Sequence, residues 1–320
     1  MDRDYTVARW LSTWLTLRSP ALADRTVADY QGYITNHLAP ALGHIPLTDL
    51  APIDIDLTIS RIAADHPRTA QLAYTVLSAA MRRAVDLELL IRNPCAAVPK
   101  PIVRARSARY WPSDTARRYL DAATTDRLYA LWAVALSCGL RRGELLGLRW
   151  SDVHLSSPGG VLRVRQQLID ISGNIILAPP KSDAGVRDIP ISPSVVRILI
   201  DHRRAQLADK LAAGKSWQSS PIAIDLVFRR PDGLPIYPRA LARYHRRQCA
   251  AADVPYINLH GLRHTMATIA IANGTPLTVL QHILGHSSIQ VTSDIYGHVV
   301  DASRVSAVQS VSNTLFTRLP

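Results

Sequence analysis

The sequence predicts a mainly α protein with a small antiparallel β-sheet, an α+β chain of two domains. Three observations predict it. Apolar residues recur at helical spacing through residues 5–98. The period changes to strand-like alternation between about residues 161 and 191 and then returns to helical. A basic, proline-punctuated stretch at 99–112 separates the two regions.

The first region opens on Val7, Trp10, Leu11, Trp14 and Leu15, an apolar stripe at i, i+3, i+4, i+7 and i+8. Asp24 is the expected N-cap of a second helix, which Pro40 is expected to end. Thr48 or Pro52 opens a short helix. A strong amphipathic helix follows from His66 to Leu90, its turns marked by Leu72, Val76, Ala79, Ala80 and Arg83, with Asn93-Pro94 as its stop. Residues 1–98 therefore read as a small helical domain of four or five helices.

The stretch 99–112 holds Pro99, Pro101 and Pro112, and Lys100, Arg104, Arg106 and Arg109 with no acid between them. It reads as a linker. Two uses fit: a segment crossing DNA, where each cation releases phosphate counterions, or a solvated hinge.

From Ser113 to Pro320 the second domain resumes in helices. DRLYALWAVALSCGL ends at Gly139, a residue type suited to the left-handed C′ position, and RRGELLGLRWSDV continues helical. VLRVRQQL, Asn174–Ala178 and VRDIPI read as three strands of one antiparallel sheet, with Lys181 in the turn before the last. SPSVVRILIDHRRAQLADKL and RALARYHRRQCAAA are helices. The tail carries Val305, Val308, Val311 and Leu315, enough for an amphipathic helix that packs on its own domain or on a neighbouring protomer.

Charge narrows the partner. Lysine plus arginine is 37 and aspartate plus glutamate is 25, a net +12. Residues 111–320 carry 24 basic and 15 acidic side chains, so +9 lies there. Such a balance favours a polyanion, although a basic surface also serves solubility. Three cysteines without CxxC spacing argue against a disulfide framework or a cysteine zinc site and fit a reducing cytoplasm. The first ten residues hold no secretory h-region, and no apolar run approaches the ~20 residues of a membrane span.

Four separated pieces carry the chemistry. They are SCGLRRGELLGLRW with Arg141, PPKSDAGVRDIPI with Lys181, HGLRH with His260 and Arg263, and LGHSSIQVTSDIYGHV with His286 and Tyr296. In this order and spacing the chain resembles the tyrosine recombinases, the phage integrase and Xer-like family. The resemblance implies a helical, SAM-like core-binding domain followed by a tyrosine-recombinase catalytic domain.

By that resemblance Arg141 and Arg263 clamp the scissile phosphate, His286 donates to it, His260 is the base, Lys181 the acid and Tyr296 the nucleophile. Glu144 supports the site, orienting an arginine. The residue types suit the reaction. A phosphodiester gains charge as an oxyanion attacks it, and the planar, permanently charged guanidinium contacts phosphate oxygens bidentately. The resemblance further implies a 3′-phosphotyrosyl intermediate, a Holliday junction and four protomers on double-stranded DNA, with no metal or other cofactor. Accessory DNA-bending or excision factors are further partners it allows. Phage or mobile-element integration is the leading expectation; Xer-like dimer resolution and DNA inversion are alternatives. Many phage integrases carry an arm-binding domain ahead of the core-binding domain, whereas here the core-binding pattern starts within the first ten residues.

Arg239, Arg243, Arg246 and Arg247 fall at i, i+4, i+7 and i+8, one basic helix face that suits a DNA track or a solvated surface. Three competing activities are weaker. A zinc hydrolase could use the HxxxH pairs His260/His264 and His282/His286, but no HExxH glutamate is present and Arg141, Lys181 and Tyr296 are left unused. His264 reads as structural and His282 as core or surface. A DNA-binding protein with a decayed site conflicts with six filled positions. A type IB topoisomerase would share the tyrosine chemistry, but the core-binding domain and linker favour site-specific recombination.

Overall fold

The computed structural model describes residues 5–103, 109–156, 159–171, 173–218, 220–222 and 225–288. The chain divides into two compact units, residues 1–106 and 107–320.

In the first unit, α1 (Val7–Arg18) buries Val7, Trp10, Leu11, Trp14 and Leu15, the same stripe that the sequence pattern predicts. Thr6 caps it, its hydroxyl accepting from the Arg9 amide. Ala23, not Asp24, is the N-cap of α2 (Asp24–Tyr33). Pro40 does not end this helix. A π turn over Ile34–Leu38, in which the Ala39 amide bonds back to Ile34 O, leads directly into α3 (Ala39–Leu42). The wider turn makes room for the Pro40 ring, and its missing N–H falls where the new helix has no acceptor for it. Helix α4 (Pro52–Asp65) is longer than the short helix expected.

Helix α5 (Pro67–Asp86) buries Ala70, Ala73, Tyr74, Val76, Leu77, Ala80, Met81 and Ala84. Leu72 is only partly buried and Ala79 and Arg83 are exposed, so three of the five expected turn markers lie off the buried face. Small alanines set the closest approach on the true face, and Trp10 crosses it, its indole donating to Ala80 O at 3.0 Å. The Tyr74 hydroxyl lies 2.8 Å from Cys95 O and 2.9 Å from Val98 O, anchoring the end of this unit. Gln71 Nε2 holds Pro101 O at 3.0 Å, so the start of the basic stretch is tied to α5. Lys100 is exposed; Arg104 and Arg106 lie outside the described residues.

The second unit begins where Trp111 is buried, its amide donating to Thr265 Oγ1 and its indole to Pro255 O. Helices α6 (Ser113–Ala122), α7 (Tyr129–Cys138) and α8 (Arg142–Leu146) come next. Helix α7 is apolar on nearly every side and forms the middle of the core. The expected long helix RRGELLGLRWSDV stops at Leu146. Backbone pairing captures residues 148–150 instead: Val227 N donates to Leu148 O and Trp150 N to Asp225 O, both at 2.8 Å. A short strand, β1 (Val153–Leu155), replaces the helix's end.

VLRVRQQL is likewise two strands, β2 (Gly160–Val164) and β3 (Gln167–Ile171). Leu162, Val164 and Leu168 are buried in one alternating phase, so the pattern alone shows no break. Pairing makes the break. β2 pairs with β1 and with β5 (Arg187–Ile191), whereas β3 forms a separate hairpin with β4 (Asn174–Ala178). The one expected sheet is therefore two small antiparallel sheets. Helices α9 (Pro193–Ala213), α10 (Pro238–Ala251), α11 (Leu259–Ala272) and α12 (Leu277–Leu284) complete the described unit. Cys95, Cys138 and Cys249 are buried and free, and burial pushes their thiols up to about 12, 11 and 11. Among the described residues no helix is long and apolar enough to cross a membrane.

Candidate active site

Two helix ends form the floor of the site. Helix α7 ends at Gly139 (φ +62) and α12 at Gly285 (φ +66), both left-handed positions that glycine occupies without strain. Each turn leaves carbonyls with no partner inside its helix. Arg263, on the buried face of α11 and only 2% exposed, bridges the two ends. Its Nη1 donates to Gly139 O at 2.8 Å and its Nη2 to Leu284 O at 2.6 Å. A cation at two helix C-termini is favoured by both dipoles.

Arg141 is the N-cap of α8, its backbone extended, its side chain one-third exposed. Its Nη2 donates to Gly285 O at 2.8 Å and its Nη1 to Glu144 Oε1 at 2.7 Å. Glu144 also accepts from the Arg141 amide at 2.9 Å, so the carboxylate grips both ends of the same residue. Both arginines are thus held in place by backbone carbonyls of the turn that carries His286.

Arg187, which the sequence pattern did not single out, completes this network. It is buried with Glu144, side-chain exposures being 7% and 2%. Its Nη2 lies 2.9 Å from Glu144 Oε2 and its Nη1 3.2 Å from Oε1. Burial raises the Glu144 pKa, but hydrogen bonding and charge from Arg187 and Arg141 outweigh it, and the carboxyl sits below its ordinary value. The signal was present. In β5 the buried face is Arg187, Ile189 and Ile191, so alternation places an arginine where an apolar residue belongs.

The histidines surround the two guanidiniums. His260 opens α11 on the exposed side, where Asn258 caps the helix by accepting from Gly261 N at 2.8 Å. Its ring meets the buried His264 edge to face, centroids 4.6 Å apart. Partial burial, then Arg263 and Arg141, lower the His260 pKa. His286 follows the α12 turn, and burial together with Arg263, Arg141, His260 and Arg187 lowers it to about 4. His264 is lowered to about 4 by burial, His260 and Arg263. His282 is exposed.

The structure therefore brings together Arg141, Glu144, His260, Arg263 and His286 from the ends of α8, α11 and α12. Lys181 is exposed in the bend after β4. Tyr296 lies outside the described residues. Among those residues no group of three or more His, Cys, Asp or Glu could hold a metal ion.

Arg239, Arg243, Arg246 and Arg247 lie along α10 away from its buried Leu241, His245, Gln248 and Cys249, and all four are exposed. Arg246 stacks over Tyr256 at 4.7 Å, and Arg239 lies 3.7 Å from Asp170. Underneath, His245 is sealed: Tyr119 Oη sits 2.9 Å from Nδ1 and Ile257 O 2.9 Å from Nε2. Because a carbonyl only accepts, Nε2 carries the proton and Nδ1 accepts from Tyr119. Burial lowers His245 to about 4.

These depressed histidines make stability pH-dependent. The unfolded chain protonates them near pH 6.5, while His245, His264 and His286 stay neutral in the fold until about pH 4. The unfolded state then binds more protons, so stability falls as pH drops through that window. The melting temperature is expected to be level just above pH 7 and to decline between about pH 6.5 and 4. Thermal melts across this range check it; a flat profile down to pH 5 contradicts it.

The fold and site define a two-unit α+β protein whose second unit clusters two arginines and two histidines, a group suited to an anionic ester. A family model described as "Phage integrase family" matches residues 112–303, and one described as "Phage integrase, N-terminal SAM-like domain" matches residues 6–62. The chain belongs to the phage integrase family, the tyrosine recombinases, which break and rejoin DNA strands. A tyrosine recombinase XerC-like protein of Caldanaerobacter subterraneus subsp. tengcongensis is 29% identical, over 98% of this chain and 84% of that protein. A putative prophage phiRv2 integrase of Mycobacterium tuberculosis is 30% identical, over 86% of this chain and 70% of that protein. The Tn1549 transposon integrase, solved in complex with a circular intermediate DNA, has the same fold at 20% identity, with a TM-score of 0.77 covering 95% of this chain and 99% of that one.

Proposed function

We propose that this chain is a site-specific recombinase that integrates or excises a phage or mobile element, cutting duplex DNA through a phosphotyrosyl link at Tyr296. The observation that carries the reading is the pair of guanidiniums, Arg141 and Arg263, fixed on the carbonyls of Gly139, Leu284 and Gly285 beside two histidines. Donors locked before substrate arrives stabilise the charge that develops on the phosphorane without reorganising during the reaction.

The roles follow from protonation state. Arginines stay charged and clamp the non-bridging oxygens. A lowered pKa keeps His260 neutral near pH 7, able to take the Tyr296 proton. His286, also neutral, donates one N–H to the phosphate. Lys181 protonates the leaving 5′-oxygen, leaving a 3′-phosphotyrosine and a free 5′-hydroxyl. Attack by the partner strand's hydroxyl reverses these steps, so the protein link conserves the bond and no metal or nucleotide enters. Lys100 in the first unit and Arg239, Arg243, Arg246 and Arg247 in the second supply phosphate contacts. Residues 99–112 join the two domains, and four protomers act on two sites through a Holliday junction.

A suicide substrate carrying the attachment site tests this. Wild type is expected to form a covalent protein–DNA adduct in the presence of EDTA, and Tyr296→Phe none. An adduct that persists in the phenylalanine variant sinks the nucleophile assignment. Relaxation of plasmids lacking any attachment site would point instead to topoisomerase activity.

A further inference from the structure

We propose that Arg187 is a positioning residue for strand cleavage: it sets Glu144, and through it Arg141, and ties the loop bearing Lys181 to the turn bearing His286. The inference rests on the function proposed for this site.

Its donors are spread over three segments. Two contacts go to Glu144, which in turn holds the amide and guanidinium of Arg141. Nη1 also donates to Gly185 O at 2.9 Å, four residues along the chain from Lys181. Nε donates to Ile283 O at 2.6 Å, two residues before the Gly285 carbonyl that receives Arg141. A guanidinium needed only to neutralise Glu144 would have no reason to span the other two. The packing agrees: a Cβ on Gly285 would meet Ala184 O at 2.6 Å and Arg187 Nη1 at 3.0 Å, so loop, arginine and turn are in direct contact. Arg187 itself is buried and acts by placing the groups that meet substrate. A planar fork of five N–H donors spans these acceptors, which the single ammonium of lysine does not.

The test is Arg187→Lys, with Arg187→Gln as the neutral second variant, in the full-length protein. Cleavage is followed on two suicide substrates, one with the ordinary 5′-oxygen leaving group and one with sulfur in that bridging position. A thiolate leaves without a proton, so it bypasses the acid but not the clamp. Both variants are expected to bind DNA within about threefold of wild type and to cleave the ordinary substrate about 100-fold more slowly, the size of losing one preorganised donor. The sulfur substrate is expected to recover about tenfold of that loss, because only the Lys181 part is bypassed. A fall by the same factor on both substrates, or a wild-type rate for Arg187→Lys on the ordinary one, overturns the proposal. Lys181→Ala is the control. If the sulfur substrate fails to rescue it, the assignment of Lys181 as acid is what falls, and Arg187 is then judged by its loss on the ordinary substrate at unchanged DNA affinity.

Discussion

Arg263→Ala is expected to abolish adduct formation and to destabilise the second unit by about 3–5 kcal/mol. The residue is 2% exposed and its two donors satisfy Gly139 O and Leu284 O. Removing it leaves two buried carbonyls without partners, each costing roughly 1–3 kcal/mol, and empties the space of a large side chain. Cleavage loses one arm of the phosphate clamp and the bridge that holds α7 against α12, so a fall of at least ~1,000-fold is expected. Arg263→Lys keeps the charge but not the two-point bridge, and is expected to recover part of the stability and little of the rate. Urea melts and single-turnover cleavage read the two effects separately. Near-wild-type stability of the alanine variant would show that the bridge is not structural.

Glu144→Ala is expected to be nearly as damaging, for a different reason. Glu144 is 2% exposed, and among the described residues its carboxylate is the one that pairs with Arg187. Its removal strands a buried guanidinium, a loss of roughly 3–5 kcal/mol and a melting point lower by roughly 10 °C for a unit of this size. Arg141 also loses the acceptor of its Nη1 and of its own amide. Glu144→Gln, which keeps the shape and one acceptor, is expected to lose less stability. A melting point for the alanine variant within about 2 °C of wild type would show that Arg187 is solvated by other means.

Much of the site was legible because its chemistry constrains residue types at short range. Arg141 comes just after a helix-ending Gly-Leu, His260 and Arg263 share one helix turn, and His286 comes just after another glycine stop; each position is written into a local pattern. The helical stripe of α1 was legible for the same reason: the buried set repeats with the helix itself. Arg187 was harder. Its evidence was one charged residue in the apolar phase of a five-residue strand, and a short strand tolerates one exception.

What the sequence determined by itself is thus the set of groups and the periodicity of their carriers: two helical regions, strands between, and arginines and histidines at helix ends. Tertiary structure decided where those carriers stop. Leu148–Trp150 leaves the helix because segment 225–227 offers better partners for its backbone, and VLRVRQQL breaks because β5 and β4 claim different halves. It also decided that Arg187 reaches Glu144 from a separate strand and that Arg263 closes onto α7 and α12. The physical reason is range. Periodicity and capping act within one or two turns of chain, whereas a buried charge is stable only where distant segments converge to satisfy it.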